Sequence, residues 1–231
     1  MKKIFLWLIA GGCIATGACK KKQEDDLYTT RIAIAQFVPN ADSIRVLYDG
    51  DRVTGSRALS YGTASSQNGI AYLALGSGTH NLGILSGTTA LNNKIYSFGA
   101  GNYYSLFLYD SLKAGAIKTA LLQDAVTKAD TLAQVRFINM IAGNESLQII
   151  FKKDTSISST DTYLGSKTSP SYPFSTLRPG SWSVSLLRNS AVIVQPASYD
   201  LQAGKLYSFV AKGIKGATGV YTESLLLMKH N

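Results

Sequence analysis

The chain has 231 residues, with 23 Lys and Arg against 14 Asp and Glu and a formal net charge of +9. The basic excess is scattered and forms no stripe, which speaks for solubility and attraction to an anionic surface and against nucleic acid as a partner. Cys13, Cys19, His80 and His230 are the only cysteines and histidines; they are too few and too dispersed for a zinc site, and no cofactor motif accompanies them.

The first 18 residues carry the three parts of an export signal: Lys2 and Lys3, the apolar run IFLWLIAGGCIA, and the small residues Thr16, Gly17 and Ala18 before Cys19. The run is shorter than the roughly 20 residues a spanning helix needs. Its ending resembles the bacterial lipoprotein box, in which the cysteine thiol is acylated and the chain is cut just before it. Thr16 stands where Leu, Val, Ala or Ile is usual. That resemblance implies a lipid (palmitate) on Cys19, a membrane partner reached through it, and a place in the cell envelope, at the outer membrane. Cys13 is the rival acceptor, but it would leave an apolar run of only about nine residues; a plain secretory signal cut near Cys19 is the other alternative. Residues 19–30 form a charged tether ending in QEDD, which looks like the acidic tags that direct some Bacteroidetes lipoproteins to the cell surface. With Cys19 acylated, the mature chain has no thiol left for a disulfide, so about 200 residues must be held by an apolar core.

From Arg31 onward, short apolar stretches alternate with period two and are separated by Gly, Ser, Thr and Asn, which predicts an all-β fold. The carboxylates of Asp42, Asp49 and Asp51 could donate to calcium, but Asp49-Gly50 between alternating apolar residues is the usual two-residue hairpin turn. GSGTH, residues 76–80, leads into a strand pattern and not a helix, so it is no phosphate loop.

The chain then repeats itself about a hundred residues on. AQFVPNADSIRVLYDGD (35–51) resembles AQVRFINMIAGNESLQIIFKKD (133–154), YLALGSGTHNLGIL (72–85) resembles PFSTLRPGSWSVSLL (173–187), and FGAGNYYSLFLYD (98–110) resembles LQAGKLYSFVAKG (201–213). Two tandem immunoglobulin-like antiparallel β-sandwich modules are predicted, over 31–123 and 132–231, with a linker at 124–131. Lys152 and Lys153 stand in the second module where Asp49 and Gly50 stand in the first, so the modules share no metal site.

In each module an Ala-Gly turn is followed, three residues after the glycine, by a tyrosine. Tyr104 and Tyr207 are assigned the structural tyrosine corner, each hydroxyl turned back to the backbone of its turn. Alternation puts Tyr104, Leu106 and Leu108 toward the module core and Tyr103, Phe107 and Tyr109 on the opposite face. That outer aromatic row is either a platform for a sugar ring or a partner protein, or a face packed against the second module or a neighbouring sheet. SYPFSTLRPGSW, residues 171–182, is either a binding loop or a loop packed by its own rings. His80 falls opposite Trp182, a position the fold fills with a ring, and His230 lies next to the terminus, where order is poor.

An F-[VI] strand start, an alternating strand, an L-x-x-G turn and A-G-x-x-Y, in that order, resemble the domain of unknown function 4397 family, often found in two copies in envelope proteins. Pro39 stands alone where members usually have a proline-rich loop, and the second module has none. The family has no assigned activity, so the resemblance implies architecture and no chemistry. The function expected is that of a non-enzymatic envelope lipoprotein binding a glycan or a protein. The alternatives are a structural or adhesive component assembling with other envelope proteins and, third, a hydrolase using carboxylates that spacing cannot reveal.

Overall fold

The computed structural model describes residues 28–41, 43–53, 58–65, 72–110, 117–124, 131–141, 146–161, 164 and 172–230. Among the described residues the named elements are strands and one short 3-10 turn, Gly219–Tyr221. In the first module these are β1 (Thr29–Gln36), β2 (Ile44–Tyr48), β3 (Asp51–Arg52), β4 (Thr63–Ala64), β5 (Leu73–Gly76), β6 (Gly78–Ser86), β7 (Thr89–Phe98), β8 (Tyr103–Tyr109) and β9 (Lys118–Asp124). The second has β10 (Ala133–Asn139), β11 (Leu147–Lys152), β12 (Ser156–Asp161), β13 (Ser175–Leu177), β14 (Gly180–Arg188), β15 (Ala191–Leu201), β16 (Leu206–Lys212) and β17 (Ser224–Lys229).

Each module is two sheets. An outer sheet runs β3-β2-β6-β7 in the first module and β12-β11-β14-β15 in the second. An inner sheet runs β4-β1-β8-β9, with β5 also on β1, and β13-β10-β16-β17. Pairing is antiparallel except at the centre of each inner sheet, where β1 lies parallel to β8 and β10 parallel to β16. A parallel neighbour needs a long crossover, and here the crossover is the whole outer sheet.

Burial separates inner from outer strands. The outer strands β2 and β11 alternate buried and half-buried residues, as expected of a sheet with one wet face. The inner strands β8 and β10 are buried almost without interruption, because both of their faces are covered. One face closes the module's own core, Ile34, Val46, Leu82 and Leu106 in the first and Val135, Ile149, Val184 and Phe209 in the second. The other face meets the inner sheet of the other module. Four sheets are therefore stacked with three apolar layers between them.

The turn between β2 and β3 puts Asp49 at φ 52 and Gly50 at φ 94, the two left-handed residues that a tight hairpin matching strand twist requires. Asp124, which the sequence assigns to the linker, is the last residue of β9 and is buried. Linker residues 125–130 and Cys19 lie outside the described residues.

Candidate functional site at the seam and flank of the second module

The seam between the inner sheets has an apolar body and a polar centre. Phe37, Phe107, Tyr109 and Leu122 of the first module pack with Ile138, Met140, Val210 and Met228 of the second. Ala33 and Ala35 on β1 are also in this cluster, and such short side chains let the sheets approach closely. Away from the polar centre, Tyr61 meets Tyr221 edge to face at 5.0 Å, and the Asn40 N–H donates to the Tyr221 hydroxyl at 3.0 Å.

The polar centre is assembled from strand ends. Ser105 and Ser208 each follow a corner tyrosine and point to the seam. Asp124 ends β9 opposite Tyr103, and His230, just past β17, donates its N–H to the carbonyl of Leu206, the counterpart of Tyr103. Asp124 and His230 thus hold equivalent places, and Arg136 projects from β10 between them.

The donor and acceptor capacities of these groups fix one arrangement. Arg136 Nε donates to Ser208 Oγ at 2.6 Å, and Ser208 Oγ lies 2.6 Å from His230 Nε2. Tyr72 Oη lies 3.0 Å from His230 Nδ1 and donates to Asp124 Oδ2 at 2.7 Å. Arg136 Nη2 is 2.6 Å from Asp124 Oδ1 and donates to Ser105 Oγ at 3.0 Å, and Ser105 donates to the same carboxylate at 2.8 Å. The ring closes if Ser208 donates to Nε2 and His230 donates from Nδ1 to Tyr72, which makes His230 the neutral Nδ1-H tautomer. Burial, and then the Arg136 charge, push the His230 pKa down to about 4 against the opposing pull of Asp124. Burial first, and then Asp124, push the Tyr72 phenol far above its ordinary range. The Arg136 guanidinium lies 4.5 Å from the centre of the Phe174 ring, a cation–π contact in a dry setting.

Serine, histidine and aspartate side by side suggest nucleophilic catalysis, but this geometry withholds it. His230 Nδ1 is 4.0 Å from the Asp124 carboxylate, with the Tyr72 hydroxyl bonded to both. Ser208, His230 and Asp124 are all buried, so no substrate carbon can come within reach of the hydroxyl. The cluster can hold a buried charge pair in one register, and that is its chemistry.

Of the occupants open to the outer aromatic row, the second module is the one seated on Phe107 and Tyr109, both buried. Tyr103 is half-buried: its ring meets Tyr72 edge to face at 4.9 Å, and the Arg31 guanidinium stands 5.2 Å from its centre. The Tyr104 hydroxyl accepts from the Gly99 N–H at 2.9 Å, and that of Tyr207 from the Gln202 N–H at 3.0 Å. The expectation for His230 is corrected: only 1% exposed, it is held by the seam despite its place near the terminus. Arg136, Tyr72 and Phe174 escape a reading of the sequence. The one signal is an arginine inside the otherwise apolar alternation of AQVRFIN, since an ionisable side chain there must find a partner.

A second feature lies on the flank of the second module, between β12 and β13, each the last strand of its sheet among the described residues. Two clefts of about 280 and 370 Å³ share Ile157 and Leu177 and together form a groove from Asp161 and Tyr172 to Trp182 and Lys153. Val135, Phe137 and Phe151 line its floor. Ladder pairing of β13 with β10 ends at Val135–Ser175, and among the described residues nothing pairs with the outer edge of β10 at Phe137. Also among the described residues, no three His, Cys, Asp or Glu come together to hold a metal, and no helix is long and apolar enough to cross a membrane.

Two solved structures match the chain at low similarity. One is a candidate cell adhesion protein from Bacteroides ovatus, 10% identical, covering 87% of this chain and 95% of that one with a TM-score of 0.29. The other, a candidate cell adhesion protein from Bacteroides fragilis, is 13% identical and covers 82% of this chain and 84% of that one with a TM-score of 0.23. No curated protein matches the chain. Residues 30–150, from β1 across the seam-forming β10 into β11, match the domain of unknown function DUF4397, and the chain belongs to that family.

Proposed function

We propose that the protein is a non-enzymatic cell-envelope lipoprotein, anchored through Cys19, that binds an extended segment of a partner protein along β12. The carrying observation is the flank groove. Among the described residues β12 pairs with a strand on one side only, that of β11, and Ile157 on it is 42% exposed above an apolar floor. A row of backbone donors and acceptors beside apolar pockets is complementary to another strand. A glycan, the other class open from the sequence, is favoured by an exposed ring to stack on. Phe107 and Tyr109 are buried, and Tyr103 is engaged by Tyr72 and Arg31.

Panning a displayed library of random octapeptides against the full chain in detergent should enrich apolar, strand-forming sequences. Their binding should weaken at least tenfold in Ile157→Lys. Failure to enrich, or enrichment indifferent to Ile157→Lys, overturns the reading; saturable binding on a glycan array that Ile157→Lys abolishes moves it to sugars.

Assembly with further envelope chains is supported by a different edge. β7 has one strand neighbour, contains no proline and exposes Ile95 at 69%, whereas its counterpart β15 carries Pro196. Proline on an edge blocks strand addition, so β7 is the more open of the two.

A further inference from the structure

His80 sits at the start of β6, where the β2–β3 turn folds back on it. Its Nδ1 is 2.5 Å from Asp49 Oδ2, and its Nε2 is 3.0 Å from the carbonyl oxygen of Ser77. A carboxylate and a carbonyl only accept, while a neutral imidazole has a single N–H. One ring nitrogen of a neutral His80 would therefore direct a lone pair at an acceptor oxygen within contact distance. A protonated Asp49 could supply the missing hydrogen, but this carboxyl is half exposed and its Oδ1 accepts the Asn81 N–H at 2.8 Å, both of which keep it ionised at neutral pH.

We infer that His80 is the imidazolium at neutral pH and closes a pH-sensitive clasp between the β2–β3 turn and the β5–β6 junction. The groups facing it are Asp49 in the turn, the Tyr48 ring of β2 stacked at 4.4 Å, the Ser77 carbonyl, and Tyr96 opposite on β7 with Lys94 over its ring. The hydrogen bonds to Asp49 and then Ser77 raise the His80 pKa, and the bond to His80 and then that from Asn81 lower the Asp49 pKa. The sign follows. The folded chain holds the His80 proton more tightly than the unfolded chain, so the clasp is closed below the ordinary histidine range and opens as pH rises through the raised value. At the acid end it persists until pH falls through the lowered Asp49 value. The second module has no such response, because the carbonyl before its equivalent glycine, that of Pro179, takes the Lys153 ammonium at 2.9 Å, and a lysine stays charged across this range.

The test is an NMR titration of the ring protons of the full chain, whose only two histidines are told apart by His80→Gln. His80 should titrate above the ordinary value of about 6.5. Asp49→Asn should bring it back toward that value, and the Asn81 amide should lose exchange protection as pH passes the midpoint. A His80 midpoint at or below the ordinary value, or one that Asp49→Asn leaves in place, overturns the clasp.

Discussion

The sandwich cores and the seam are built from the same strands read on opposite faces. On β8, Tyr104, Leu106 and Leu108 enter the first core while Ser105, Phe107 and Tyr109 enter the seam. On β16, Tyr207 and Phe209 enter the second core while Ser208 and Val210 enter the seam. The core faces place like opposite like across the repeat: tyrosine with tyrosine, Val46 with Ile149, Leu82 with Val184. Seam faces do not. Ala33 corresponds to Arg136, Phe107 to Val210 and Asp124 to His230. The reason is geometric. A core is closed within one module, so both copies can use the same residues. At the seam equivalent strand ends meet, and two copies of Asp124 there would set two carboxylates against each other in a dry layer. Joining the copies therefore requires that they differ, and the difference is concentrated in one charge pair.

The largest effect should come from breaking that pair. Asp124→Ala leaves Arg136 buried and uncompensated and should cost about 3–5 kcal/mol in urea unfolding. Asp124→Leu with Arg136→Met together should recover most of that loss, because an apolar replacement of a whole buried pair is commonly neutral. A single change with the effect of a surface substitution would erase the distinction between seam and core.

Next in size is the response to acid. The folded state holds His230 neutral down to about pH 4, whereas an unfolded histidine takes its proton near pH 6.5. The unfolded chain binds the extra proton in that window, so stability should fall as pH drops from about 6.5 toward 4. Chemical denaturation at several pH values would measure the slope, and His230→Gln should flatten it.

The smallest and most symmetric effect belongs to the cores. Tyr104→Phe and Tyr207→Phe should each cost about 0.5–1.5 kcal/mol, nearly equally, and without altering the acid response. Inequality between them would mean that the like-for-like core faces are less alike than their geometry.

The cores were legible in the sequence because period two and the repeat report on the same face of the same strands. AGNYY and AGKLY mark the two tyrosines whose hydroxyls accept from the Gly99 and Gln202 N–H groups. The continuous burial of β8 and β10 was not legible as a stack of four sheets, since YYSLFLY reads equally as a strand with one wet aromatic face. The polar ring was hidden for a further reason. Asp124 stands beside a charged, turn-rich stretch, and His230 beside the terminus, so composition assigns both to solvent. Only the pairing of β9 with β8 and of β17 with β16 carries them inward. Long-range register is what a local pattern lacks. The flank groove depends in the same way on where β13 stops pairing.

That His230, beyond every named strand, belongs to the seam bears on the order in which the molecule can be made. Synthesis from the N-terminal side delivers β1, β8 and β9 long before β17, so the first sandwich can close while Phe107 and Leu122 still face water. The seam must wait for Met228 and His230, which follow all the other strands that build it. Until then half of a dry interface is available to any other apolar surface, including another nascent copy. Loss of a few C-terminal residues should therefore damage the molecule out of proportion to their number, by leaving its central layer without a lid.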